Sequence, residues 1–418
     1  MFRENLVVGL DIGTTKICAI IGERKGDDQV EILGVGICPC NGLKKGVIVN
    51  IESTVNAVRH AVQEAELVAG AEVKSVYVGI AGSHINGANS HGVVAIKNKE
   101  VRRTDTERVL DAACAMPMPM GREVIHVLPQ EYVVDDQGGI KEPAGISGTR
   151  LEGKVHIVTG SVTSTHNIRK CVQKANLEAR ELVLEPLASS EATLTVDEKE
   201  LGVALVDIGG GTSDILVFTQ GSTKHTAVLP LGGDHITRDI AIGLRTPLQD
   251  AERIKKRYGC AYSSMIEEDE MIEVPSIGGR DSRKLSRKVL SEIVESRAEE
   301  IFRRVDLEIR NSGYKDLLAS GVVITGGSSI MEGMQEIAEE ILELPVRRGL
   351  PMGIKGLVDM VNSPLYATAV GLVLYGMKRE AMGSPTNNNG VYQGIQKFIK
   401  GLGKFFSAVL ALIVFRRF

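Results

Sequence analysis

The sequence predicts a duplicated α/β fold, in which two halves on one plan, each broken by an insertion, face each other across a cleft. Three features point to it. Leu10-Asp11-Ile12-Gly13-Thr14-Thr15 and Val206-Asp207-Ile208-Gly209-Gly210-Gly211-Thr212-Ser213-Asp214 are near copies lying about half a chain apart. Each copy sits between two apolar runs, Leu6 to Val8 and Ile17 to Ile21 for the first, Val203 to Val206 and Ile215 to Phe218 for the second. That order reads as strand, tight turn, strand, twice. A further apolar run, Gly321 to Ile324, also ends in glycines, at Gly326-Gly327-Ser328.

The first half opens with strands at 6–12, 16–23 and 29–37, a helix from Ile51 to Val68 and a strand from Val73 to Ala81. From Ser83 the character changes, and 83–159 reads as an inserted α+β subdomain. A strand at Gly92 to Ile96 leads to Thr104-Asp105-Thr106-Glu107, which has the form of a capping box, with a helix running on to Ala115. Met116-Pro117-Met118-Pro119 stops that helix, because proline cannot donate to the helical ladder. Strands follow at Glu123 to Leu128, Tyr132 to Val134 and Lys154 to Thr159. A helix from Thr165 to Ala175, with Ser164 or Thr165 at its start, returns the chain to the first core subdomain, 1–82 with 160–195.

The second half repeats the plan. Strands around Asp207 continue to Leu229, and with 313–379 they make a second core subdomain, 196–230 with 313–379. Residues 231–312 form a second insertion, with helices at Pro247 to Tyr258 and Arg287 to Ile309. The latter carries an apolar stripe of Ile293, Ala298, Ile301, Val305 and Ile309.

Composition sets outer limits. A chain of 418 residues with 43% hydrophobic content has room for two to three well-filled domains. The formal charge of −4 gives no basic field, and with 4% aromatics and no Trp there is no stacking platform, which disfavours nucleic acid as a partner. The six cysteines have no paired metal spacing, and Cys38-Pro39-Cys40 is too tight for a common zinc site. The first residues run directly into a strand, so the expectation is a cytoplasmic protein with reduced thiols.

A turn that sets Asp, Gly and Thr after a buried strand suits phosphate. Glycines let the backbone approach an anion, and Thr hydroxyls add donors. An Asp beside phosphate makes sense where a divalent cation or its waters lie between, so the pattern favours Mg2+ with a nucleotide. One such turn is also a common plain hairpin. Two of them can clamp a triphosphate from both sides. No G-x-x-x-x-G-K-S/T or G-x-G-x-x-G spacing is present, which disfavours a P-loop or a dinucleotide fold.

These segments resemble the actin, Hsp70 and sugar-kinase superfamily, whose fold is actin-like (ribonuclease H-like) with two lobes around a nucleotide cleft. Within it, His126-Val127-Leu128-Pro129-Gln130-Glu131-Tyr132, Gly148 to His156, and Val274-Pro275-Ser276-Ile277-Gly278-Gly279-Arg280 are similar to the bacterial FtsA cell-division family, over about residues 5–378. The resemblance implies ATP and Mg2+ as ligands. Asp11, Gly13, Thr14, Thr15 and Lys16 would form the first phosphate loop, with Lys16 neutralising phosphate. Asp207, Gly209, Gly210, Gly211 and Thr212 would form the second, with Asp11 and Asp207 holding Mg2+ through water. Gly232 and Gly233 would close over sugar and phosphate, and Gly326, Gly327 and Ser328 would form the adenosine segment. Glu252 and Lys255 look like the adenosine-side pair, and their spacing puts both on one helix face, as it would a surface ion pair. Leu184 to Ser189 would be the connecting segment that positions water. Glu185 there is a candidate catalytic residue of at most a weak ATPase, or simply a cap on the next helix.

The same resemblance implies self-association through residues 83–159 and the cores, and binding of the FtsZ C-terminal peptide at 231–312. Arg280, Arg283, Lys284, Arg287, Lys288, Arg297, Arg303 and Arg304 lie in that segment. Residues 380–394 have linker composition. Beyond them Ile395, Phe398, Ile399, Leu402, Phe405 and Phe406 fall on one helical face, with Lys397, Lys400 and Lys404 on the other. That pattern suits an amphipathic helix lying on anionic lipid; a helix docking on the domains is the plainer reading. The uncharged stretch from Phe405 to Phe415 supplies 11 residues. Spanning a bilayer takes roughly 20. The tail therefore lies on a membrane, with Arg416 and Arg417 snorkelling and Ala408 to Phe415 able to wedge deeper.

The function expected is an ATP-binding division protein at the septum, tethering the FtsZ ring to the cytoplasmic face of the membrane and helping recruit later division proteins. A metabolite kinase on the same fold would leave the tail unexplained. A chaperone ATPase would need a substrate domain after Gly326.

Overall fold

The computed structural model describes residues 5–381 except 27–28, 268 and 279. The membrane-helix residues expected at 395–418, and the linker beyond Ala381, lie outside the described residues; Glu380 and Ala381 close the helix Ala367–Ala381. The described chain forms two compact units, 5–90 with 117–130 and 155–377, and 91–116 with 131–154 and 378–381.

The first unit holds both sheets of the duplication. One has six strands in the order Glu178–Leu184, Ser75–Ile80, Leu6–Ile12, Lys16–Lys25, Gln29–Pro39, Ile354–Gly356. The other has five, Ser222–Leu229, Ser213–Thr219, Val203–Ile208, Val322–Thr325, Val346–Arg348. Each is centred on an antiparallel hairpin with a parallel strand on the far side of its first arm. Asp11 faces Cys18 and Leu10 lies beside Val78; Asp207 faces Asp214 and Val206 lies beside Ile324. Parallel neighbours and helices on both faces explain why these strands are apolar almost throughout.

Helix Ile51–Ala69 begins where Asn50 Oδ1 accepts from Ser53 N at 3.0 Å and ends at Gly70 in the left-handed region, φ 62°. Its Val58, Ala61, Val62 and Ala65 bury against the first sheet. The approach is so close that a Cβ on Gly36 would lie 1.9 Å from Ala61 O, which accounts for the glycines inside strand Gln29–Pro39. In the second half, Leu290, Val294, Ala298, Ile301, Phe302, Val305 and Ile309 bury helix Arg287–Ser312. Ile293, expected on that stripe, lies only half-buried at its margin.

Several elements differ from expectation. The two strands expected around Pro129 are one, Arg122–Val134. Pairing with Gln137–Ile140 starts only at Tyr132, so exposed Pro129 sits beyond that pairing, where a missing N–H is tolerated. The expected Thr104–Glu107 box is replaced by an earlier start. Helix Arg103–Cys114 is closed by Asp105, whose carboxylate accepts from Arg102 N at 3.1 Å. Helix Val162–Lys174 likewise starts before Thr165, whose hydroxyl donates back to Val162 O at 3.0 Å inside the helix instead of capping it.

Helix Gly233–Gly243 and the small hairpin Met271–Val274 with Arg283–Ser286 were not expected. Residues 313–379 divide between the two sheets. Val322–Thr325 and Val346–Arg348 join the second, whereas Ile354–Gly356 pairs with Val30 to Ile32 on the edge of the first. Ala369, Val370, Leu372 and Val373 of the last helix then pack on the first sheet with Val7, Cys18 and Ile20. Composition does not show this return, because it is decided by packing between residues more than 300 positions apart.

The second unit has its own small core. Helix Arg103–Cys114 contributes Val109, and Ile96, Val101, Tyr132, Val134 and Leu151 close around it.

Candidate functional site

The two hairpin turns meet inside the first unit. A Cβ built on Gly210 would lie 2.5 Å from Thr15 Cγ2, and one on Gly211 would lie 2.7 Å from Thr14 Oγ1. Glycine is therefore required in the second turn by the approach of the first. The cavity between them is lined by Asp11, Gly13, Thr14, Thr15, Lys16, Glu185, Asp207, Gly209, Gly210, Gly211, Thr212, Asp214, Gly326 and Gly327. Ile12, Gly46, Ala81, Leu365 and Thr368 complete the lining. The sequence copies thus become facing walls.

Four carboxyl groups and one lysine share this cavity. Lys16 Nζ lies 3.6 Å from Asp11 Oδ2 and donates to Leu365 O at 2.8 Å. Burial disfavours its charge, but the nearby Cys18 thiol, Asp11, Tyr366 and Asp207 outweigh it and hold the lysine pKa above its ordinary value. Asp207 Oδ2 accepts from Ser189 Oγ at 2.6 Å and Thr368 Oγ1 at 3.2 Å. Burial still raises Asp207, and it raises Asp11 in spite of Lys16. Asp214 Oδ2 accepts from Thr212 Oγ1 at 2.9 Å, while its Oδ1 is buried without a partner. Burial and the neighbouring Asp207 push its carboxyl up to about 8.

Glu185 opens helix Glu185–Thr193 with Pro186 behind it, and Gly79 leaves room for its carboxyl, which a Cβ there would approach to 3.3 Å at Oε1. Burial, with Asp11, Asp214 and Asp207 nearby, raises it well above the ordinary glutamate range. It lines the cavity wall from the first turn of that helix.

The remaining expected residues gather beside the cavity without lining it. Gly233 N donates to Gly209 O at 3.0 Å and Asp234 N to Gly210 O at 2.8 Å, so the Gly232–Gly233 helix start is docked onto the second turn. Ser328 Oγ donates to Gly209 O at 2.9 Å. Lys255 Nζ reaches Glu252 Oε2 at 2.7 Å, Thr237 Oγ1 at 2.7 Å and Gly233 O at 3.1 Å. Burial opposes the Glu252 charge, but Lys255, Thr237 and Lys256 hold its pKa below the ordinary value. This pair therefore faces inward to Gly233, unlike a solvated surface pair.

Sequence reasoning did not single out Asp214, Ser189, Thr368 or Leu365. Asp214 and Ser189 stood inside segments already marked. Thr368 and Leu365 gave no signal, since they lie 161 and 349 positions from the partners they meet.

The donor set fits a hydrated divalent cation: four acids, three of them buried and Glu185 half-buried, face one ammonium, and one acid oxygen lacks a partner. Among the described residues no three His, Cys, Asp or Glu side chains come close enough together to hold a metal directly.

A family model described as "Cell division protein FtsA" matches residues 204–371, and one described as "SHS2 domain inserted in FTSA" matches 82–159. The cell division protein FtsA of Pseudomonas aeruginosa is 53% identical over 385 residues, 92% of each chain. The chain belongs to the FtsA family. FtsA of Escherichia coli K12 is 43% identical over 409 residues, 96% of this chain and 97% of its own. The fold is actin-like. The PilM-PilN type IV pilus biogenesis complex matches with TM-score 0.65 at 15% identity, over 89% of this chain and 98% of that one. MreB5 of Spiroplasma citri bound to ADP matches with TM-score 0.55 at 14% identity, over 91% and 99%. Among the described residues no helix is long and apolar enough to cross a membrane.

Proposed function

We propose that this FtsA-family chain binds Mg-ATP between its two hairpin turns, self-associates, and tethers FtsZ to the cytoplasmic membrane at the division site. The observation that carries the nucleotide reading is the facing pair of turns with Lys16 and four acids between them. Bound there with ATP, Mg2+ would place positive charge between the acids and the phosphates. Lys16 and Thr14, Thr15 and Thr212 would meet phosphate; Asp11 and Asp207 would hold waters of the cation, with Ser189 and Thr368 orienting Asp207. Glu252 and Lys255, already anchored on Gly233, would border the nucleoside with Gly326, Gly327 and Ser328. Glu185, on the cavity wall, would orient an attacking water, at low turnover.

Nucleotide then acts mainly on the angle between the halves, and through it on the affinity of one subunit for the next. The FtsZ C-terminal peptide would dock on residues 231–312, where basic side chains are dense. Some of these are already engaged: Arg297 pairs with Asp239, and Arg287 with Glu270 and Glu332. The tail from 395 would provide the attachment to anionic lipid. Co-sedimentation with vesicles containing anionic lipid tests the tether. The full chain should pellet and a chain ending at Ala381 should not; equal binding of both would overturn it.

A further inference from the structure

Away from the cleft, the open edge of the second sheet is covered by side chains from the base of the insertion. Strand Ser222–Leu229 is an edge strand whose free side would expose backbone groups. Gln130 Nε2 donates to Thr223 O at 2.8 Å, Asn89 Nδ2 to Lys224 O at 3.2 Å, and Ser222 Oγ to Gln130 O at 2.8 Å. Behind them His156, 1% exposed, lies with Nδ1 2.7 Å from Asn89 Oδ1 and Nε2 2.8 Å from Thr226 Oγ1. Asn89 Oδ1 also accepts from Gln130 Nε2 at 3.1 Å.

The network has one consistent proton arrangement. A carboxamide oxygen only accepts, so His156 carries its proton on Nδ1 and accepts the Thr226 hydroxyl proton at Nε2. Burial, reinforced by His225, pushes the imidazole down to about 4, so the ring stays neutral and the pattern does not change near neutral pH. Gly87 makes the approach possible: a Cβ there would lie 2.2 Å from Thr226 Oγ1 and 2.6 Å from His156 Nε2.

All these residues belong to the first unit, outside the cavity lining, and they join strands of the two halves. Strand Ser222–Leu229 is itself paired to Ser213–Thr219, which begins at the second hairpin turn, with Ser213 opposite Leu229. We propose that the His156–Asn89–Gln130 cluster is a mechanical link that makes the base of the insertion follow the second half whenever the cleft changes angle. A rotation of the second sheet must either break this set of hydrogen bonds or draw with it the strands Asn86–Ala95, Arg122–Val134 and Arg150–Ser161, which carry the insertion.

The link itself stands on the geometry; the signal that it transmits rests on the nucleotide reading of the cleft. Hydrogen exchange on the full chain separates the two. Without nucleotide, Asn89→Ala, at an exposed position that spares the core, should speed exchange about fivefold to tenfold in both 86–90 and 222–229, the factor expected for a lost hydrogen bond. Thr226→Val, approaching from the other side, should do the same. Loosening confined to the substituted segment in both variants would overturn the link. With Mg-ATP, the wild-type segments should change protection together, and in a chain carrying Asn89→Ala, Gln130→Ala, Ser222→Ala and Thr226→Val, which removes every bond of the set, only 222–229 should still respond. Continued response of 86–90 in that chain would also overturn it. If Mg-ATP alters neither segment of the wild type, the cleft reading fails, and the nucleotide-free arm still decides the link.

Discussion

Asp214→Asn probes the electrostatics of the cleft by a change of one atom. In the folded chain burial and Asp207 lift the Asp214 carboxyl to about 8, against 3.8 for an unhindered group. The native state therefore binds a proton that the unfolded state releases, and stability falls as pH rises from about 4 towards 8 and levels off above that. At 1.36 kcal/mol per unit, the loss between pH 3.8 and pH 7 is about 4 kcal/mol. The amide carries no charge and can still accept from the Thr212 hydroxyl, so the variant escapes this loss. Urea denaturation of both proteins from pH 5 to 8 reads it directly. The wild type should lose about 1.4 kcal/mol per pH unit more than the variant, and the variant should be the more stable at pH 7. Mg-ATP should stabilise the wild type more than the variant, because only the wild type has an acid to ionise there. Parallel pH profiles for the two proteins would refute the reasoning.

Gly371→Ala should destabilise the first half by about 1–3 kcal/mol, read as a lower denaturant midpoint, since its Cβ would fall 1.9 Å from Ala188 O. An unchanged midpoint would mean that the last helix is not held this tightly. Glu185→Gln should leave ATP affinity within about twofold and lower turnover by about a hundredfold or more, the usual effect of removing a proton acceptor. Unchanged turnover would remove Glu185 from the chemistry.

The hairpins were legible because their signal is local: an Asp-Gly turn between apolar runs fixes strand, register and wall in one stretch. Asp11, Lys16, Glu185 and Asp207 consequently meet where their motifs place them. What was not legible depends on contact at a distance. Nothing in Ala367 to Met377 tells which sheet it covers, and the Thr368 contact to Asp207 exists only once that helix has docked. Cap registers failed for a different reason. Thr104 and Thr165 have the chemistry of caps, but neighbouring residues, Asp105 and the run from Val162, extend the helices past them. The single strand Arg122–Val134 reads as two around Pro129 because the tolerance of a strand for proline depends on which neighbours pair beside it.

The cation-bridged clamp is tested most directly by calorimetric titration of ATP, with Mg2+ and with a chelator, into the full chain and its Asp207→Ala variant. Asp207 holds hydrogen bonds from Ser189 and Thr368 and faces Asp11 across the cavity, so its loss should cost at least about tenfold in Mg-ATP affinity, equivalent to 1.4 kcal/mol. The difference should vanish in chelator. Equal Mg-ATP affinity in the two proteins, or an affinity indifferent to Mg2+ in the wild type, would contradict the clamp.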